Sequence, residues 1–139
     1  MPSPVIVQLI LCDAAQADPS GKVHMLGAGW SMTRSPTSHA VAVLMKVPWD
    51  RANEKIKLTI ELLTEDGRPV QLRGPTGEQT GLKAEAEIEV GRPAGVAHGS
   101  LLDAAFALNV PPLPLLPGRY EWRLEIDTST PAAGFTVLA

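Results

Sequence analysis

The sequence predicts an all-β protein, a two-sheet antiparallel β-sandwich of eight or nine short strands. Three observations carry that prediction. Residues 119–127 alternate strictly, with Tyr120, Trp122, Leu124 and Ile126 on one side and Arg119, Glu121, Arg123, Glu125 and Asp127 on the other. That is the period-two pattern of a half-buried strand, since successive strand side chains point to opposite faces. Turn formers punctuate the whole chain, with 13 prolines and 12 glycines dividing it into short segments. No stretch shows a convincing helical spacing of apolar residues. The 139 residues, 45% of them apolar, are enough for one buried core, so the chain is read as a single domain, 1–139. With only 4% aromatic residues, that core must be mainly aliphatic.

Taken in order, residues 5–12 are apolar on both faces, as in a strand covered on both sides. Asp18-Pro19-Ser20-Gly21 is a strong turn signal. Residues 23–32 form the next predicted strand, with Leu26, Ala28, Trp30 and Met32 in phase and Gly27 and Gly29 marking a bulge or a close backbone approach. Residues 39–47 align Val41, Val43, Met45 and Val47, and residues 56–62 align Ile56, Leu58, Ile60 and Leu62. Asp66-Gly67 suits a tight hairpin, and residues 69–72 form its short second arm, an edge strand because of Pro69. In residues 82–90 composition and pattern conflict. Ala, Glu and Lys favour helix, but Leu82, Ala84, Ala86, Ile88 and Val90 alternate with charged residues, so a strand is predicted. Residues 101–110 fit either a strand or a helix; Val110 before Pro111 avoids the helical region, which favours the strand. Pro117-Gly118 then turns the chain into residues 119–127, and Phe135 and Val137 belong to a closing strand.

Charge and cysteine content exclude several classes of function. The net charge of −3 comes with no basic cluster, which argues against a nucleic-acid surface. Cys12 is the sole cysteine, so neither an internal disulfide nor a thiolate metal cage can form. No Lys or Arg precedes the apolar run of residues 5–12, and that run is too short to cross a bilayer. It is read as a first strand of a cytoplasmic protein with no membrane partner.

Candidate chemistry is sparse. Cys12, at the end of an apolar strand, is read as a buried structural thiol. His24, His39 and His98 lack the short spacings of a zinc motif and are read as surface or edge residues. Asp13, Asp18, Asp66, Asp103 and Asp127 lie at or near strand ends but show no calcium-loop pattern, so turn roles account for them. Glu85, Glu87 and Glu89 are read as a solvated row. No catalytic, metal or cofactor residue is assigned. The remaining candidates form a possible interaction surface. Trp49 beside Pro48 can be partly exposed. Leu113, Leu115 and Leu116 lie in a proline-rich segment, residues 111–117, expected to run as a stiff loop outside the sheets. These leucines either cap the chain's own core or form a patch that a second chain buries.

Several motifs together resemble a known family: Cys12-Asp13-Ala14-Ala15, Gly21-Lys22-Val23 with Leu26-Gly27-Ala28, Glu65-Asp66-Gly67, Gly91-Arg92-Pro93, Asn109-Val110-Pro111-Pro112-Leu113-Pro114, and Pro117-Gly118-Arg119-Tyr120-Glu121-Trp122. The pattern is similar to a group of uncharacterised bacterial proteins, common in actinobacteria and classed as a domain of unknown function. The resemblance implies a single bacterial domain and brings no activity, cofactor or catalytic residue. The expectation is therefore a non-enzymatic β-sandwich acting in self-assembly or protein binding, as a homo-oligomer or with another protein. A small-ligand or carbohydrate-binding module is the alternative, and a hydrolytic enzyme the third.

Overall fold

The structure is a computed structural model and describes residues 4–139. The described residues are all-β, with twelve strands and one short 3-10 turn. The strands are β1 (Ile6–Cys12), β2 (Ala14–Ala17), β3 (Val23–Leu26), β4 (Met32–Arg34), β5 (Thr37–Val47), β6 (Ile56–Thr64), β7 (Gln71–Arg73), β8 (Gln79–Gly81), β9 (Lys83–Ile88), β10 (Leu102–Leu113), β11 (Gly118–Ile126) and β12 (Ala132–Leu138). They form four sheets: β1-β5-β10, β4-β12-β11-β6-β9, and the two-stranded ribbons β2-β3 and β7-β8. The expected eight or nine strands in two sheets therefore becomes twelve in four. All pairings are antiparallel except β4 with β12. No helix among the described residues is long and apolar enough to cross a membrane.

The alternation seen in the sequence builds one main core between the two larger sheets. Val41, Val43, Met45 and Val47 of β5 enter it with Ile56, Leu58, Ile60 and Leu62 of β6, Trp122, Leu124 and Ile126 of β11, and Phe135 and Val137 of β12. The other face of the three-stranded sheet carries a smaller core, in which Cys12, Ala40 and Ala42 are covered by Ala15, Val23 and Met25 of the β2-β3 ribbon. This explains why residues 5–12 are apolar on both faces. Asn109 fixes the ribbon in place: its amide nitrogen donates to Ala15 O at 2.8 Å, and its amide oxygen accepts from Ala15 N at 3.2 Å.

Three elements differ from expectation, each for a local reason. Residues 23–32 do not run as one strand, because Gly27 and Gly29 take φ of 64° and 96° and redirect the chain between β3 and β4. Val70 and Pro69 bond or bridge back to β6 as a hairpin arm would, but β7 then pairs with β8 rather than extending that hairpin. Residues 101–110 are a strand, and it continues past Pro111 and Pro112 to Leu113 through a register shift against β5. β10 borders only β5, so the missing proline donors leave no neighbour unpaired.

The core residues Trp122, Leu124, Ile126 and Ile60 are fully buried as their alternation predicts, whereas Phe106, on the apolar phase of Leu102, Ala104, Leu108 and Val110, is only half-buried. The turn before β11 is held by Tyr120, whose hydroxyl donates to Leu116 O at 2.7 Å.

Candidate functional site

The chemistry-bearing residues of the sequence are dispersed by the fold. Cys12 is buried against Ala40, with its thiol 3.6 Å from the Ala40 carbonyl. Burial first, and the negative charge of Asp13 second, push that thiol up, so its nucleophilic thiolate form is disfavoured. His39 is not at the surface, contrary to expectation; it is 1% exposed and faces the main core. Trp122 Nε1–H donates to His39 Nε2 at 2.8 Å, which makes Nε2 an acceptor and places the imidazole proton on Nδ1, 3.4 Å from Thr37 Oγ1. Burial holds its pKa below the usual histidine range. Trp30 and Phe135 pack around it with ring centroids 5.7 and 5.5 Å away. Cys12 and His39 lie on opposite faces of the three-stranded sheet, so they cannot act on one substrate atom. His24 is exposed beside Asp18, 3.1 Å away. Among the described residues no three His, Cys, Asp or Glu side chains converge as a metal site.

The expected interaction residues are split between opposite ends of β5. Leu113 and Leu115 are buried in the chain's own core, so they serve as caps and not as an exposed patch. Leu116 alone of the three is exposed, at 77%. Trp49 lies beyond the other end of β5, and the eleven-residue strand between them spans roughly 33 Å.

The Trp49 end is built with some rigidity. Pro48 closes β5, and Trp49–Arg51 form the 3-10 turn. Arg51 is 6% exposed and reaches under this turn. Its guanidinium donates to both oxygens of Asp127 and both of Glu54, with Nη2 3.1 Å from Asp127 and 3.0 Å from Glu54. The hydrogen bonds from Asp127, then those from Glu54, raise its pKa further, so the charge is permanent. The pair ties the turn to the β11–β12 connection.

Above this clamp, Arg92 lies 4.4 Å over the Trp49 ring and donates from Nη2 to the Trp49 carbonyl at 2.8 Å. His98 packs against the same indole edge to face at 5.0 Å. Beside them opens a pocket of about 480 Å³ whose lining includes Ile6, Pro48, Trp49, His98, Leu101 and one acidic residue, Asp50. Ile6 is 55% and Leu101 49% exposed, so two large apolar side chains of the rim are open to solvent. Ile6 was no candidate in the sequence, whereas Leu101-Leu102 stands out there as apolar surplus over what one core needs. The signals were present: residues 5–12 are apolar on two faces, and Leu101-Leu102 is a doublet of which a strand can bury only one member. Glu54 is the local half of the Arg51 clamp, three residues on, but Asp127 is 76 residues away and left no local sequence signal.

Among the described residues, this end of the molecule offers a largely apolar surface with an aromatic centre. A search of curated proteins gave no match. A family model spans residues 8–133, nearly the whole folded chain. On that match the chain belongs to DUF6941, a family of unknown function.

Proposed function

We propose that this chain is a non-enzymatic β-sandwich of the bacterial cytoplasm that works by binding protein, in the first instance a second copy of itself. The observation that carries the proposal is the apolar face of Ile6, Pro48, Trp49 and Leu101. Soluble monomers rarely leave contiguous apolar patches in water, and a closed two-fold contact sets one such patch against its own copy. The Arg51 clamp supports the proposal, since a rigid surface loses little entropy on binding. The sandwich reading rests on the two larger sheets sharing one core, with the ribbons as additions. The free, buried Cys12 fits a reducing compartment.

Carbohydrate binding is the weaker reading. A sugar stacks on an open indole face, and Arg92 already covers one face of Trp49 while His98 packs against the same ring.

Sedimentation velocity of the wild type and an Ile6→Asp/Leu101→Asp variant tests the proposal. Both residues are about half exposed, so the variant should keep its fold, which circular dichroism verifies. The expected result is a wild-type dimer at micromolar concentration and a monomeric variant. A wild type that stays monomeric throughout, or a dimer indifferent to both substitutions, overturns the assignment of this face.

A further inference from the structure

The two larger sheets each end in an unpaired strand on the same flank of the core. The five-stranded sheet ends at β9, and the three-stranded sheet ends at β10. Leu62 N–H donates to Leu82 O at 3.0 Å on the side of β6 that faces β9. The register continues as Ile60 with Ala84, Leu58 with Ala86 and Ile56 with Ile88. Ala84, Ala86 and Ile88 therefore direct their main-chain groups at β6. Those of Lys83, Glu85 and Glu87 point away from the sheet, where no strand receives them. The side chains tell the same story: Ala84, Ala86, Ile88 and, across the gap, Phe106 and Leu108 pack on the core yet stay only half-buried. Between the strands lies a cleft of about 620 Å³, whose lining includes Ile88, Val90, Ala104 and Ala105. Its lining also holds the carboxylates Asp18, Glu87, Glu89 and Asp103, and no lysine or arginine. Lys46, outside the lining, pairs with Asp103.

We infer that the outer edge of β9 is a docking site for an extended peptide segment of another protein, one that alternates basic and apolar residues and adds to the sheet as an outer strand. Unpaired main-chain groups on an edge strand are a template for such addition. The apolar side chains of the guest lie over Ala84, Ala86, Ile88 and Phe106 and complete the core at its open flank. Its basic side chains meet Glu85, Glu87 and Glu89. A second copy of β9 offers Lys83 as its single basic residue against Glu85 and Glu87, whereas a guest with a basic residue at every outward position matches each of them. This site is separate from the Trp49 face, and its test uses different residues.

The probe is a fluorescein-labelled seven-residue peptide alternating lysine and valine, compared with its glutamate–valine counterpart and with a lysine–valine version N-methylated at alternate amides. Fluorescence anisotropy reads binding, and amide exchange by NMR locates it. The expected result is binding of the lysine–valine peptide alone, weakened at least tenfold by Glu87→Lys/Glu89→Lys, with new protection at the amides of Lys83, Glu85 and Glu87. Equal binding of the N-methylated peptide would reduce the site to charge attraction without strand addition and overturn the inference. So would absence of binding by the lysine–valine peptide, protection that maps to other strands, or concentration-dependent pairing of β9 with itself.

Discussion

His39 shows how much a single residue reveals in sequence and how much it withholds. It lies two residues before Val41, in phase with Val43, Met45 and Val47, so its buried position was legible from the alternation. The polar character of histidine argued against that phase, and the phase won, because Trp122 Nε1–H on the facing sheet satisfies Nε2. That partner lies 83 residues away and left no local trace. The arrangement has a consequence for pH. Burial penalises the charged imidazolium and holds the folded-state pKa below the usual histidine range, and a proton on Nε2 would also meet the Trp122 N–H. The unfolded chain then binds the proton more readily. The contribution of neutral His39 is fully present above the unfolded pKa and is lost as pH falls from there through the folded value. Urea denaturation at roughly pH 7.5 and pH 5 should show the wild type losing stability on acidification, while His39→Gln, which keeps an acceptor for Trp122 but cannot titrate, loses distinctly less. Equal losses in the two proteins would remove His39 as the cause.

At the scale of elements, alternation proved the dependable signal. Residues 82–90 contain the strand β9, Lys83–Ile88, despite a composition that favours helix, because the core offers its edge only one side of a pleat. Turn residues were less legible. Glycines in residues 23–32 gave warning of a break, but not that β3 would join a two-stranded ribbon and β4 the five-stranded sheet. In the proline-rich segment the absence of donors predicted a loop; residues 114–117 are one, but Pro111 and Pro112 lie in an edge strand, which tolerates that absence equally well. Leu113 and Leu115 consequently point into the core and Leu116 points out. Leu113→Asp should therefore destabilise the protein by about 3–5 kcal/mol, the range for losing a large core side chain, with a buried carboxylate adding to the loss. Leu116→Asp should stay within about 0.5 kcal/mol of the wild type, as surface changes do. The Tyr120 bond goes to the Leu116 main chain and survives that substitution. Chemical denaturation of the two variants checks the contrast. Comparable losses would place both leucines in the same environment and contradict the register of β10.

For the whole molecule, what the sequence could not convey was pairing between distant segments. β5 joins β1 to β10, β6 is flanked by β9 and β11, and β4 from the first quarter of the chain runs parallel to β12 near its end. Which strand borders which depends on long-range shape and register, and a period-two pattern reads the same beside any neighbour. This weave also predicts cooperativity. The aromatic cluster of Trp30, His39, Trp122 and Phe135 joins side chains from β5, β11, β12 and the β3–β4 connection, so it spans both large sheets. The β2-β3 ribbon has its own small core, but that core is the back of β1 and β5, and Asn109 of β10 pins it. Neither large sheet can lose its partner without exposing the main core, and the ribbon has no support without the three-stranded sheet. Unfolding in urea should therefore be a single transition. In a Trp49→Phe variant the remaining tryptophans, Trp30 and Trp122, report the junction between the sheets, while far-ultraviolet circular dichroism reports all strands. The two midpoints should coincide. Fluorescence changing at lower urea than circular dichroism would show that the junction opens while strands persist, and the sheets would then be separable units rather than one cooperative core.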